Sequence, residues 1–157
     1  MKNNKHCQAA IILGMHDAIV SLTGLIAGLF FAFTDSNIII ITCIISSITA
    51  ALSMGAANYL AVKSENKDHA IKSALYTAIA YVATCTLLIL PFFIFQERVT
   101  AFIFVILMAI SIIFVFNRCC YCGTQFYKHF SEMLAICTIV SITAFFIGEI
   151  ASQIYGI

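Results

Sequence analysis

The sequence predicts an all-α integral membrane protein of five transmembrane helices, and three observations carry that prediction. Of the 157 residues, 62% are hydrophobic and only 10% charged, with a mean hydropathy of +1.05. A soluble globule needs more polar surface than this to cover its core. The apolar residues fall into five long runs, and the short segments between them hold most of the ionisable side chains. The basic residues are also distributed unevenly between the two sets of helix ends that such runs create.

In order, the runs extend over Ala9 to Phe33, Ile38 to Val62, Ile71 to Phe95, Thr100 to Phe116 and Glu132 to Tyr155. At a rise of about 1.5 Å per residue, about 20 apolar residues cross a hydrocarbon layer about 30 Å thick, so each run is of spanning length. The first run is too long for the apolar core of a cleaved signal, and no small-residue cleavage site follows it. Short connections imply antiparallel neighbours with no soluble domain between them, so residues 1–157 read as a single transmembrane domain. Backbone groups in lipid must be paired within each segment, which excludes an open sheet.

Orientation follows from the basic residues. Lys2 and Lys5 precede the first run, Lys63, Lys67 and Lys72 surround the second connection, and Arg118 and Lys128 surround the fourth; Arg98 alone falls on the other side. Basic residues favour the cytoplasmic face, which predicts a cytoplasmic amino terminus and a non-cytoplasmic carboxyl terminus. The protein is then a multi-pass component of a bacterial inner membrane or an organellar membrane, with the lipid bilayer as its solvent.

Two function classes drop out. A net charge of +1 without a long basic run offers nothing to neutralise phosphates, so no nucleic-acid partner is expected. The chain has no Gly-rich phosphate loop, no Gly-x-Ser-x-Gly elbow and no His-Glu-x-x-His helix. An enzyme is not expected, and neither is a resident cofactor.

Asp17 is the residue that points to a function. It lies inside the first apolar run, and a carboxylate held in hydrocarbon needs a partner to offset its desolvation. Entering from the cytoplasm, Asp17 lies roughly 12 Å deep, and Met54 lies at a similar depth on the returning second helix. A carboxylate oxygen beside a thioether suits a transition metal such as Fe²⁺ or Mn²⁺ better than Mg²⁺ or Ca²⁺. As packing filler, Met54 has an equally ordinary role. The face around Asp17 carries Gly14, Ser21, Gly24 and Gly28, and that around Met54 carries Ser47, Ala50, Ala51 and Asn58. Such small, mildly polar faces leave room and acceptors for an ion, and they also describe tight helix packing.

These residues resemble a known family. The first helix, His16-Asp17-Ala18-Ile19-Val20-Ser21 with Leu25-Ile26-Ala27-Gly28, resembles the opening segment of the vacuolar iron transporter family. The second, Ala51-Leu52-Ser53-Met54-Gly55 through Tyr59-Leu60-Ala61-Val62-Lys63-Ser64-Glu65, resembles that family's Ser-Met-Gly helix ending in Lys-Ser-Glu. Leu90-Pro91 late in the third helix extends the likeness more weakly. The resemblance implies a homodimer whose first helices line a path between subunits, moving Fe²⁺ or a similar divalent ion out of the cytoplasm in exchange for protons. It implies that Asp17 and Met54 lie on that path and that Glu65 is the glutamate of the Lys-Ser-Glu motif.

Three departures from the family pattern stand out. Ala18 follows Asp17 where the family usually has Gly. Ser46 occupies the position, eight residues before Met54, where the family often carries an acid, which weakens the field for a cation. Members that collect metal on a cytoplasmic helical extension place it between the second and third helices, where this chain has only Lys63 to His69; it resembles a short form without that extension.

Further candidates are Glu149, placed to receive an ion leaving the path or to snorkel to the interface, and a cytoplasmic cluster of Cys119, Cys120, Cys122 and His129. The cluster reads as a soft-metal site, as acylated cysteines, or as tolerated small apolar residues; its spacing is not a zinc pattern. Cys43, Cys85 and Cys137 read as packing. His16 is a proton acceptor only if it shares a face with Asp17, from which it points about 100° away. Because a metal and a proton compete for the same carboxylate oxygens, exchange between them is the expected mechanism. The alternatives are a membrane assembly partner or metal sensor that keeps the fold without transporting, and an ion channel with flux but no proton coupling.

Overall fold

A computed structural model describes the backbone of residues 2–65, 68–120 and 124–155, and the side chains of residues 8–65, 68–118 and 125–154. Its elements are α1 (Lys2–Ala32), α2 (Ser36–Ser64), α3 (Ala70–Ile94), α4 (Arg98–Cys120) and α5 (Thr124–Tyr155), and no strand occurs among the described residues. All five helices are long and apolar enough to cross a membrane. The protein is an all-helical, multi-pass membrane protein.

The helices overrun the apolar runs in the sequence. α1 starts at Lys2 rather than Ala9, α4 continues to Cys120 rather than ending at Phe116, and α5 starts at Thr124 rather than Glu132. Hydropathy reports the length that lipid requires, whereas Gln, Lys and Glu propagate a helix beyond it at little cost. The first residues of α5, Gln125 to Ser131, form such an overhang.

Local chemistry sets the boundaries. Asp35 caps α2 by accepting the Asn37 backbone N–H at 2.8 Å, while Glu65 closes its other end with Lys63 in the last turn. Pro91 removes a donor near the end of α3, and the helix stops one turn later, with the Phe95 N–H donating to the Pro91 carbonyl at 2.9 Å.

α1 is the centre of the bundle and touches each of the other four helices. Its approach to α5 depends on Gly28 and Gly148. A Cβ on Gly148 would run into the Gly28 backbone carbonyl, and one on Gly28 would lie 3.1 Å from the Ala144 carbonyl oxygen. Gly14 gives α1 the same closeness to Thr77 on α3. Without a hydrophobic drive between helices in lipid, such contacts gain their stability from dispersion and hydrogen bonding.

The buried face of α2, Ile39, Cys43, Ser47, Ala51 and Gly55, repeats every fourth residue, and it lies against α3, whose buried residues include Ser73, Thr77, Tyr81 and Cys85 at the same spacing. Two such rows of small or polar side chains interdigitate as ridges in grooves. At the other end of the bundle, Arg98 donates to the Phe33 carbonyl and lies 4.6 Å from the Phe30 ring centroid, tying the end of α1 to the start of α4.

Candidate functional site

Asp17 is half-buried on α1, and no hydrogen bond or ion pair occupies its carboxylate among the described residues. One turn later the Ser21 hydroxyl donates to the Asp17 backbone carbonyl at 2.7 Å. Ser21 also meets the Tyr81 hydroxyl at 2.6 Å. Since the only Ser21 hydroxyl hydrogen goes to the backbone, the Tyr81 hydroxyl donates in this pair. Beyond Ser21 the same face of α1 lines a groove of about 520 Å³, with Gly24, Gly28, Ser46 of α2, and Val140 and Gly148 of α5 among its walls. Ser46 also borders a second hollow of about 500 Å³ on the outer face of α2, with Thr42, Thr49 and Ser53.

A polar knot fixes the depth of these groups. The Asn58 amide nitrogen donates to the Ser73 carbonyl (3.2 Å), the Ser73 hydroxyl (3.0 Å) and the Thr77 hydroxyl (2.5 Å). Thr77, fully buried, offers its own hydrogen to the Ala10 or Ser73 carbonyl, each at 3.1 Å. Thus α1, α2 and α3 are joined at one level, marked by Gly14, Asn58 and Thr77. From there Asp17 lies three residues along α1 and Met54 four residues back along α2, displacements of about 5 and 6 Å in the same direction. The two residues lie at one depth. Met54 is half-buried and packs on the apolar core. The nitrogen of Asn58 is committed to α3, while its amide oxygen has no hydrogen bond among the described residues.

The other candidates lie apart. Glu65 is exposed at the end of α2, about 16 Å along the helix from Met54. Glu149 is exposed on α5, where Oε1 accepts from the Gln153 side chain at 3.1 Å. Its neighbour Gly148 packs on Gly28, about 16 Å along α1 from Asp17. His16 turns to α4, edge-on to Phe116 at 5.3 Å, and its Nε2 is buried without a hydrogen bond. It does not share the Asp17 face. His129 lies 3.4 Å from Glu132 one turn on. Cys119 and Cys120 fall in the last turn of α4 rather than in a connection, and Cys122 lies outside the described residues. Among the described residues, no three His, Cys, Asp or Glu side chains converge to hold a metal ion.

α3 contributes groups that reading the sequence for charge passes over. Tyr81 and Cys85 both lie within electrostatic reach of Asp17, and the Cys85 thiol lies beside the Ser47 hydroxyl. Their signal is the four-residue repeat Ser73, Thr77, Tyr81, Cys85 in an otherwise apolar helix.

Five spanning helices and a half-buried carboxylate without a partner among the described residues define a multi-pass membrane protein with an intramembrane polar site. Residues 9–70 match the model of the VIT family, a stretch covering Asp17, Ser46, Met54, Asn58 and Glu65. The similarity to the VIT family runs through α1 and α2. No curated protein matches it.

Proposed function

We infer that this protein carries a divalent transition metal, Fe²⁺ or Mn²⁺, out of the cytoplasm by exchange with protons. VIT proteins are membrane transporters rather than enzymes, and the similarity over residues 9–70 points to metal-ion transport. The observation that carries the finer reading is the Asp17 carboxylate, half-buried in a spanning helix with no cation or donor among the described residues to offset it. A visiting cation supplies that offset, and a returning proton competes for the same oxygens. Met54, at the same depth, adds a soft donor that favours iron or manganese over magnesium, and the Asn58 amide oxygen, about 6 Å away along α2, is a further neutral ligand. Ser46 supplies a hydroxyl to the groove but no charge.

Glu65 at the entrance and Glu149 towards the far end complete the route in this reading. A homodimer whose first helices line the path between subunits belongs to the same reading. If present, a soft-metal station at Cys119, Cys120, Cys122 and His129 would act before the path.

The test is metal uptake into liposomes containing the purified protein, with internal pH followed at the same time. Asp17→Asn should abolish metal-dependent proton movement, and Met54→Leu should lower iron and manganese flux in a protein that still folds. Exchange at the normal rate in Asp17→Asn would remove Asp17 from the mechanism. Folded protein with no flux under any gradient would favour a non-transporting assembly or metal-sensing role, and flux without proton movement a channel.

A further inference from the structure

α4 and α5 follow one another in the chain, yet they touch each other less than α4 touches α3 or α5 touches α1. Between them runs a groove of about 360 Å³, floored by Thr23 and Ala27 of α1 and walled by α4 from Phe102 to Ile113 and by α5 from Leu134 to Phe145. Its threonines are turned inward to their own helices: the Thr23 hydroxyl donates to the Ile19 carbonyl at 2.6 Å and that of Thr138 to the Leu134 carbonyl at 2.7 Å. Such a wall suits an apolar occupant, and left empty it forfeits dispersion contacts.

The groove is one leaflet long. Phe102 and Ile113 stand about 16 Å apart along α4, against about 15 Å for half of a hydrocarbon core about 30 Å thick. Arg98 lies about 6 Å beyond Phe102 on the same helix, which matches the headgroup layer of about 5–7 Å on either side of that core. A stack of rings joins this cation to the groove. The guanidinium lies 4.6 Å from the Phe30 centroid, and Phe30 stacks at 4.3 Å on Phe102. Arg98 is half-buried, donates to the Phe33 carbonyl and pairs with no carboxylate among the described residues. That bond uses one of five guanidinium N–H donors, and the rest form the planar fork that holds phosphate.

We propose that the α1–α4–α5 groove binds one glycerophospholipid from the leaflet on the Arg98 side, with an acyl chain in the groove and the phosphate on Arg98. The distance between slot and charge selects the ligand. A fatty acid seated in the groove leaves its carboxylate at the Phe102 rim, about 6 Å short of the guanidinium, whereas a glycerol spacer brings a phosphate level with it. The bound chain supplies the packing that α4 and α5 do not give each other. The site is independent of Asp17 and stands whether or not the protein moves metal.

The experiment uses the full chain, stripped of lipid in detergent and examined by native mass spectrometry. Dioleoylphosphatidylglycerol should bind saturably at one molecule per protomer, at least tenfold more tightly than dioleoylglycerol, because the phosphate adds charge-assisted bonds. Glycerol 3-phosphate, which has no chain, should not bind. Arg98→Gln should remove the preference for the phospholipid and Arg98→Lys should restore most of it. Thr138→Trp, which fills the groove from its exposed side, should weaken phospholipid binding at least tenfold.

Binding that does not saturate, a preference that Arg98→Gln leaves intact, or affinity unaltered by Thr138→Trp overturns the proposal. A dimer that Thr138→Trp splits without changing lipid binding assigns the groove to a second copy and overturns it equally. Should Thr138→Trp misfold, Phe145→Trp serves, since the chain has no other tryptophan. Phosphatidylglycerol with brominated chains should quench its fluorescence to a plateau at one equivalent, and quenching that rises without a plateau overturns the proposal.

Discussion

Replacing Thr77 by Val tests whether the polar knot holds the first three helices together. Valine keeps the shape of threonine but removes a hydroxyl that accepts from Asn58 at 2.5 Å and donates to the Ala10 or Ser73 carbonyl at 3.1 Å. The consequence is bounded by what remains. Asn58 retains the Ser73 carbonyl and hydroxyl, so its nitrogen is not left unsatisfied, and the Ala10 carbonyl keeps its helical partner. The loss is therefore two hydrogen bonds, both interhelical when the hydroxyl hydrogen points to Ala10, with no orphaned group. At about 0.6 kcal/mol each the cost is about 1.2 kcal/mol, roughly sevenfold in the folding equilibrium, with a ceiling of about 3.4 kcal/mol if each reaches 1.7.

Equilibrium unfolding in mixed micelles, titrated with a denaturing detergent, reads this directly, and a double-mutant cycle with Asn58→Leu isolates the bond to α2. A Thr77→Val variant as stable as the natural protein would show that the knot does not bind the helices. A loss well above 4 kcal/mol would show that Thr77 supports more than these bonds.

Two further outcomes follow from contacts elsewhere in the bundle. Gly148→Ala places a Cβ against the rigid Gly28 backbone, so α1 and α5 must separate at a cost of about 1–3 kcal/mol, measured by the same unfolding titration. A neutral result would mean that the two helices do not meet there. Arg98→Gln frees the Phe33 carbonyl and the Phe30 ring; loss of a cation–π contact of about 0.5–2 kcal/mol, together with the hydrogen bond, should speed amide exchange in the α1–α2 turn by about tenfold. Unchanged exchange at residues 33–36 would show that this clamp does not hold the turn.

The candidate site was only partly legible in the sequence, and the reasons differ by residue. Asp17 stands out because a charge in hydrocarbon is costly enough to be rare. Met54 could be placed at the level of Asp17 by counting residues from the ends of antiparallel helices. Cys85 and Ser47 could not, because a thiol or a small hydroxyl in an apolar run is common packing material and carries no penalty that the sequence would reveal. The four-residue repeat on α3 is visible in the sequence, but nothing there says which row of α2 faces it. His16 and Asp17 are adjacent in the chain yet turn to different neighbours, since each residue advances about 100° around the helix.

By itself, the sequence determined the solvent of this protein, the number of its spanning helices and the residue most worth explaining, because the hydrocarbon layer imposes a length and a polarity on every segment regardless of its neighbours. Where the helices stop beyond the membrane, which faces meet, and which polar groups are left without partners were decided by tertiary structure alone. Those outcomes depend on side chains far apart in the chain, such as Asn58 with Thr77 or Gly28 with Gly148, coming within van der Waals distance. In lipid, contact geometry rather than hydrophobicity distinguishes one helix pairing from another.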